Sequence, residues 1–308
     1  MSDPLARFEA ERGHLTGLAY RMLGEMTLAE DVVQEAWLRW QGADHAAIRQ
    51  PAAFLSTVTM RLCLDALRAA KARRETYVGP WLPEPISPDD ARAFAPAPDA
   101  AAELASDLSL ALLHLLERLS PEERAAFILH DAFDCEYAMI AATLGKTETA
   151  CRKLVSRARE RVREGRPRFA VDRREHRALM ERFLEASNMG DARNVLALLS
   201  PGAVALTDGG GKAVAALRPI VGADKVARFI AGIARKGWPL LTAHWVGMED
   251  GEPTLLLHHG GVAYLSLQID SEDGRITRLY MTRNPDKLRR LAAAVGADCG
   301  REFQRHYT

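Results

Sequence analysis

A chain of 308 residues has room for two or three domains, each with its own core. Its 41 basic and 41 acidic residues cancel, which excludes a uniformly cationic nucleic-acid coat but not separate fields of opposite sign. The four scattered cysteines, Cys63, Cys135, Cys151 and Cys299, lack any CxxC spacing and so exclude a disulfide scaffold and a cysteine-built zinc site.

Those thiols read as small buried groups in a reducing compartment, and neither metal nor cofactor is expected. The first ten residues have no cationic start followed by an apolar core, and no apolar run is long enough to span a bilayer. The expected location is cytoplasmic, with no membrane partner. Charge is unevenly placed: residues 25–44 are mainly acidic, whereas residues 61–74 and 152–168 are strongly basic.

The first block, residues 1–75, reads as all helix. Val33, Trp37 and Trp40 recur at helical spacing and mark a buried face, leaving Asp31, Gln34, Glu35 and Leu38 on another. A later helix starts at Pro51, turns Phe54, Leu55, Val58, Leu62 and Leu67 inward, and ends in the basic run Arg68, Lys71, Arg73 and Arg74. Residues 76–101 are rich in proline and alanine and form a linker. Its WLPEP core contains Trp81, an aromatic with apolar area to bury.

The second block, residues 102–168, opens on a helix start, Ser120-Pro121-Glu122-Glu123: a capping serine, proline in the first turn, and acids at the positive end of the dipole. A short helix from Glu136 to Leu144 stops at Gly145, and Thr147 caps the next. On that final helix Ala150, Leu154, Ala158 and Val162 form an apolar stripe. Arg152, Ser156, Arg159 and Arg163 lie opposite, flanked by Lys153 and Arg157. A helix-turn-helix presents its second helix to the major groove in this way.

The third block, residues 172–292, changes grammar. Two helical stretches (176–189 and 192–199) precede runs of β character at 203–207 and 212–218. A helix at 222–235 is followed by strand-like segments near 241–248, 254–258, 262–269 and 276–282. Turns at Asp250-Gly251, Gly260-Gly261 and Asp273-Gly274 suit antiparallel hairpins, which makes this an α+β domain followed by a tail, 293–308.

With these residues in place, the chain resembles a bacterial extracytoplasmic-function (ECF) sigma factor, of the subgroup with a fused SnoaL-like C-terminal domain. AEDVVQEAWLRW, residues 29–40, is similar to the family's polymerase-gripping helix, and residues 51–74 to its element that melts and reads the −10 region. The second block resembles the −35-binding domain. The subgroup's own marks are WLPEP, DGGGK (residues 208–212) and NPDKL (residues 284–288), all present and in order. Arg61 stands where many members carry asparagine. The resemblance implies two all-α sigma domains, the second a helix-turn-helix, plus a cone-shaped α+β domain. Its implied partners are core RNA polymerase and promoter DNA at the −35 and −10 elements, with activity modulated in cis by the third domain.

Asp31, Gln34 and Glu35, with Leu38 beside them, offer acceptors for a partner's arginines. Arg61, Arg68, Lys71, Arg73 and Arg74 can neutralise phosphates beside an unwound strand. Arg152, Lys153 and Ser156 should reach base edges, while Arg157, Arg159 and Arg161 hold phosphates. Gly209, Gly210 and Gly211, bracketed by Asp208 and Lys212, permit close backbone approach. The expected interdomain regulatory set is therefore Trp81, the run Asp208, Gly209, Gly210, Gly211 and Lys212, and the run Asn284, Pro285, Asp286 and Lys287. The third domain is expected to pack on the first block through 208–212.

Two alternatives remain at this level. One is a stand-alone helix-turn-helix regulator whose C-terminal domain senses a small molecule. The other is a SnoaL-type isomerase or hydrolase fused to a DNA-binding module, with Asp208, His244, His258, His259 or Tyr264 as catalytic groups and Trp238 and Trp245 as walls. No catalytic residue is assigned, and the chain is not expected to be an enzyme.

Overall fold

The computed structural model describes residues 3–74, 76–94, 109–165, 173–237, 241–246 and 253–299. The chain divides into two compact units, Met1–Thr76 with Asp89–Arg166, and Tyr77–Pro88 with Pro167–Thr308. The segment carrying WLPEP therefore belongs to the C-terminal unit.

The first unit is helical. Helices α1 (Pro4–Leu23), α2 (Met26–Gln41) and α3 (Pro51–Arg74) pack on one another. Gly24, in the left-handed conformation, ends α1 by donating its N–H to the Tyr20 carbonyl. Phe8, Leu18 and Met22 of α1 are buried with Val33 and Trp40 of α2 and Leu55, Met60 and Cys63 of α3. The Trp40 indole also needs a polar partner and donates to the Pro4 carbonyl at 2.9 Å. Trp37 is only partly buried, against Phe8. A short α4 (Pro88–Ala93) and Phe94 follow, with the Ala93 carbonyl and Phe94 lying where side chains at Gly13 and Gly17 would stand.

The second half of this unit holds α5 (Leu110–Leu116), α6 (Pro121–Phe127), a π-helical turn (Ile128–Ala132), α7 (Tyr137–Leu144) and α8 (Glu148–Gly165). The start at Ser120 is a full capping box. The Ser120 hydroxyl accepts from the Glu123 N–H at 3.3 Å, and the Glu123 carboxylate accepts from the Ser120 N–H at 3.0 Å. Burial would raise the Glu123 pKa, but the Ser120 hydrogen bonds and the charges of Arg161 and Arg157 outweigh it and hold the carboxyl below its ordinary range. Ser120→Ala should cost about 1 kcal/mol of stability in urea unfolding, because the cap and a partner of Glu123 go together.

Buried Arg124 ties the two halves of the unit together. It pairs with Glu117 and donates twice to the Arg21 carbonyl, at 3.0 and 2.7 Å. Helix α7 ends at left-handed Gly145, and the Thr147 hydroxyl accepts from the Ala150 N–H at 3.2 Å, as the sequence suggested. The buried face of α8 is wider than the expected stripe. Cys151 and Val155 join Leu154, Ala158 and Val162, because 3.6-residue periodicity brings i+1 rows into the same face.

In the second unit, α9 (Arg173–Asn188), α10 (Ala192–Leu196) and α11 (Ala223–Gly237) cover one face of a six-stranded sheet. Its order is β2-β1-β6-β5-β4-β3, from β1 (Leu199–Asp208), β2 (Ile220–Val221), β3 (Thr242–Val246), β4 (Thr254–His259), β5 (Val262–Glu272) and β6 (Arg275–Thr282). Phe183, Val226 and Ile230 pack against Leu257, Leu267 and Leu279. On the other face, Leu288 and Leu291 of α12 (Pro285–Ala294) meet Leu256 and Ala263.

Strands β3 to β6 form the antiparallel meander, with positive φ at Gly260, Gly261, Asp273 and Gly274 in two of the turns. Two expectations change, and one pairing that the sequence left open is added. Leu199 starts β1 instead of ending a helix. Strand β1 runs parallel to β6, with Thr207 beside Met281. Residues 212–218 are loop, not strand, because side chains take their carbonyls: the Thr207 hydroxyl donates to Ala216 and the Arg283 guanidinium to Val214. The turn at 250–251, the wall residue Trp238 and the side chains of Lys71, Arg73 and Arg74 lie outside the described residues.

Candidate nucleic-acid interface and linker clasp

Helix α2 turns Asp31, Gln34, Glu35 and Leu38 outward together, Leu38 at 56 % exposure. An apolar side chain that open, within a set of acceptors, is a surface with hydrophobic area to cover. Glu35 makes an exposed pair with Arg39 at 3.3 Å, which is worth little against a better partner.

On α3, Arg68 is exposed and pairs with Asp65 at 3.0 Å. Arg61 is differently employed. Its Nε donates to the Thr143 carbonyl at 3.1 Å and its Nη2 to the Ala142 carbonyl at 2.8 Å, satisfying carbonyls in the last turn of α7. The Thr57 and Thr143 hydroxyls lie 3.2 Å apart in the same contact. No local pattern announces this, since the partners are more than eighty residues apart.

On α8 the exposed face carries Arg152, Lys153, Ser156, Arg157 and Arg159. Arg152 spans Glu148 at 3.0 Å and the face of Tyr137 at 5.0 Å, an exposed arrangement that exchanges readily. Arg159 is held harder, gripping both oxygens of Asp131 from the π-helical turn. Arg157 and Arg161 reach Glu123 at 3.7 and 2.7 Å. Half of this cationic face is thus tethered to α6 and the turn after it.

In the second unit, Asp208 is fully buried at the end of β1, and among the described residues its carboxylate accepts from the Tyr77 hydroxyl at 2.5 Å, the Leu82 N–H at 2.9 Å and the Lys287 ammonium at 2.8 Å. Lys287 also donates to the Leu82 carbonyl and lies 4.0 Å from the Trp81 ring centroid, so its buried charge meets both a carboxylate and an aromatic face. Asn284 caps α12 through its Oδ1 and donates from Nδ2 to the Tyr77 hydroxyl at 3.0 Å. Lys212 pairs with Asp286.

The three glycines of the turn do different things. Gly210 has φ +57, and a Cβ there would collide with Asn284 Nδ2 and stand 2.9 Å from the Tyr77 hydroxyl. Gly211 faces Val78, whose side chain lies 3.3 Å from where its Cβ would be. Gly209 departs from the expectation that all three glycines admit a partner. A Cβ there would strike the Ala213 carbonyl, so its smallness serves its own loop. The Gly209 carbonyl closes that loop by accepting from the Lys212 and Ala213 N–H groups, at 2.9 and 3.0 Å.

The marks WLPEP, DGGGK and NPDKL therefore meet in one clasp. The nearest neighbours of Gly209, Gly210 and Gly211 are residues of the C-terminal unit, Tyr77 and Val78 among them because residues 77–88 fold with that unit. Sequence reasoning singled out Trp81 but not Tyr77, whose aromatic ring in the same proline-rich stretch was the available signal.

The catalytic candidates do not converge. Asp208 is consumed by the clasp, and the His244 and His258 rings lie 4.7 Å apart, mutually tilted, on the β3–β4 edge, with His259 one residue on. Only Tyr264 lines the cavity between α11 and the sheet, and none of the candidate bases joins it there. Among the described residues no three metal-ligating side chains cluster, and no helix is long and apolar enough to cross a membrane.

Family models match residues 7–73 as Sigma-70 region 2 and residues 109–162 as Sigma-70, region 4. The chain is 40 % identical over 295 residues to the ECF RNA polymerase sigma factor SigJ of Mycobacterium tuberculosis, covering 92 % of this chain and 93 % of that one. It is 33 % identical over 306 residues to the probable ECF RNA polymerase sigma factor SigI of the same species, covering 96 % and 98 %. The crystal structure of Mycobacterium tuberculosis SigJ matches with a TM-score of 0.72 at 37 % identity, covering 96 % of this chain and all of that one.

Proposed function

Since the chain belongs to the ECF RNA polymerase sigma factors and so directs transcription initiation, we propose which of its surfaces carry each part of that task. Asp31, Gln34, Glu35 and Leu38 of α2 grip core polymerase. Arg61 and Arg68, with Lys71, Arg73 and Arg74, serve the −10 region, Arg61 by exchanging two carbonyls for phosphate oxygens. Arg152, Lys153 and Ser156 read −35 base edges, while Arg157 and Arg159 hold phosphates. The observation that carries this reading is the exposed cationic face of α8 behind a capped helix-turn-helix.

The SnoaL-like third domain tunes this activity in cis. Residues 77–88 belong to the connector between the region 2 and region 4 segments, and the clasp removes them from its free length. The protein works in the cytoplasm, and its third domain is not catalytic.

Arg152→Ala should cost about 1–3 kcal/mol of promoter binding and relax preference at one −35 position. Arg159→Ala should weaken all sequences alike, and it should also lower stability because Asp131 loses a bidentate partner. Binding of both variants to a promoter library at several salt concentrations checks this division. Identical profiles would contradict it.

A further inference from the structure

The C-terminal unit encloses a cavity of about 240 Å³ between α11, the sheet and the loop 214–216. Its walls are mostly apolar, including Phe229, Ile233, Leu241 and Met281. Two charged side chains line it, Arg283 and Lys236, and both are cationic. Lys236 is exposed, whereas Arg283 is partly buried immediately after β6.

The guanidinium of Arg283 is only partly satisfied. One nitrogen, Nη1, donates to the Val214 carbonyl, and the group lies 4.2 Å from the ring centroid of Tyr264. Nε and Nη2 are buried without a hydrogen-bond partner of good geometry among the described residues, the Tyr264 side chain being the polar group beside the guanidinium. These two nitrogens form one edge of the planar fork, the edge whose paired N–H groups match the two oxygens of a carboxylate. A buried cation without an anion is costly, and no aspartate or glutamate lines the cavity to offset it. Burial lowers the Arg283 pKa, with Tyr264 opposing that shift.

We propose that this cavity is a binding site for a small amphiphilic carboxylic acid, its carboxylate on the Nε–Nη2 edge of Arg283 and its apolar body against Phe229, Ile233 and Met281. Apolar walls with a few convergent polar groups are the general form of a small-molecule site. Cationic lining of one sign selects an anion over a neutral lipid or a cation. The seat adjoins the clasp, since the N–H groups of Arg283 and Asn284 both donate to the Asp208 carbonyl, at 2.7 and 2.9 Å. The site does not depend on the assignment of DNA-reading residues, and its failure would leave promoter-directed transcription by the chain unaffected.

The test is calorimetric titration of the full chain with octanoate and 4-phenylbutyrate, each beside its neutral amide. At least one carboxylate should bind about tenfold or more tightly than its amide, the size of effect expected of a charge-assisted pair. Arg283→Gln should remove that preference, and Ile233→Trp, which fills the cavity, should abolish binding of both forms. Equal affinity for acid and amide, no binding of either acid, or a preference retained in Arg283→Gln would each overturn the proposal. The acid–amide comparison on the unmodified chain decides the matter should either variant fail to fold.

Discussion

Replacing Asp208 with asparagine should free residues 77–88 from the C-terminal unit and lower its stability by about 3 kcal/mol. The carboxylate is fully buried and faces Lys287, which is itself 5 % exposed. Asparagine keeps the shape but removes the charge, leaving a buried ammonium beside the Leu82 carbonyl and the rings of Trp81 and Tyr77 without its anionic partner Asp208. The amide cannot accept from Tyr77, Leu82 and Lys287 with both of its terminal atoms, because one of them is now a donor. At least one of the three donors loses its acceptor or must reverse its role. Hydrogen exchange at residues 77–88 and thermal unfolding of the full chain measure both consequences. Replacing Lys287 with methionine as well should recover part of the loss, since removing both charges avoids the orphaned one. Unchanged protection of 77–88 in Asp208→Asn would show that the clasp does not hold the segment.

The second large effect is expected at α2. Alanine at Asp31, Gln34 and Glu35 together should weaken binding to core polymerase about tenfold or more, with little change in thermal unfolding. The three side chains are exposed, and among the described residues only Glu35 has an ion pair in the set, to Arg39. Substitutions at such positions usually change stability by less than about 0.5 kcal/mol each. Their expected value lies in charge-assisted bonds to a partner, where truncation of a paired charge typically costs about 2 kcal/mol or more. Leu38→Ser should add to the loss by removing exposed apolar area from the same face. Surface-immobilised core enzyme titrated with each variant measures the affinity, and calorimetry alongside it separates binding from folding.

Much of this fold was legible in short stretches of sequence. Ser120-Pro121-Glu122-Glu123 specifies its own helix start, and Gly145 its own stop, because each is settled by atoms within four residues. The hairpins at Gly260-Gly261 and Asp273-Gly274 were visible for the same reason. Relations across the chain were not. The parallel pairing of β1 with β6 joins residues over seventy positions apart, and nothing in the alternation of β1 names its neighbour. The run 212–218 looked strand-like from its composition, yet hydrogen bonds from Thr207 and Arg283 hold it as a loop.

The same division runs through the sites. The outward sets on α2 and α8 followed from helical periodicity and are where that periodicity put them. The tethering of Arg159 by Asp131 depends on a π-helical turn that has no signature in the local pattern. Arg61 carries a charge that reads as DNA-facing, and only tertiary packing reveals the two carbonyls it satisfies. DGGGK was recognisable as a place for close approach. What approaches Gly210 and Gly211, namely Tyr77, Val78 and Asn284, required the three-dimensional arrangement, as did the purely local duty of Gly209.

The most direct measurement is run-off transcription with purified core polymerase across a promoter library, comparing the full chain with a form carrying Arg152→Ala and Lys153→Ala. The unmodified chain should select promoters sharing one −35 and one −10 element, and the double variant should lose discrimination at −35 while keeping it at −10. Promoter selection identical in the two forms would contradict the assignment of α8 as the reader of the −35 element.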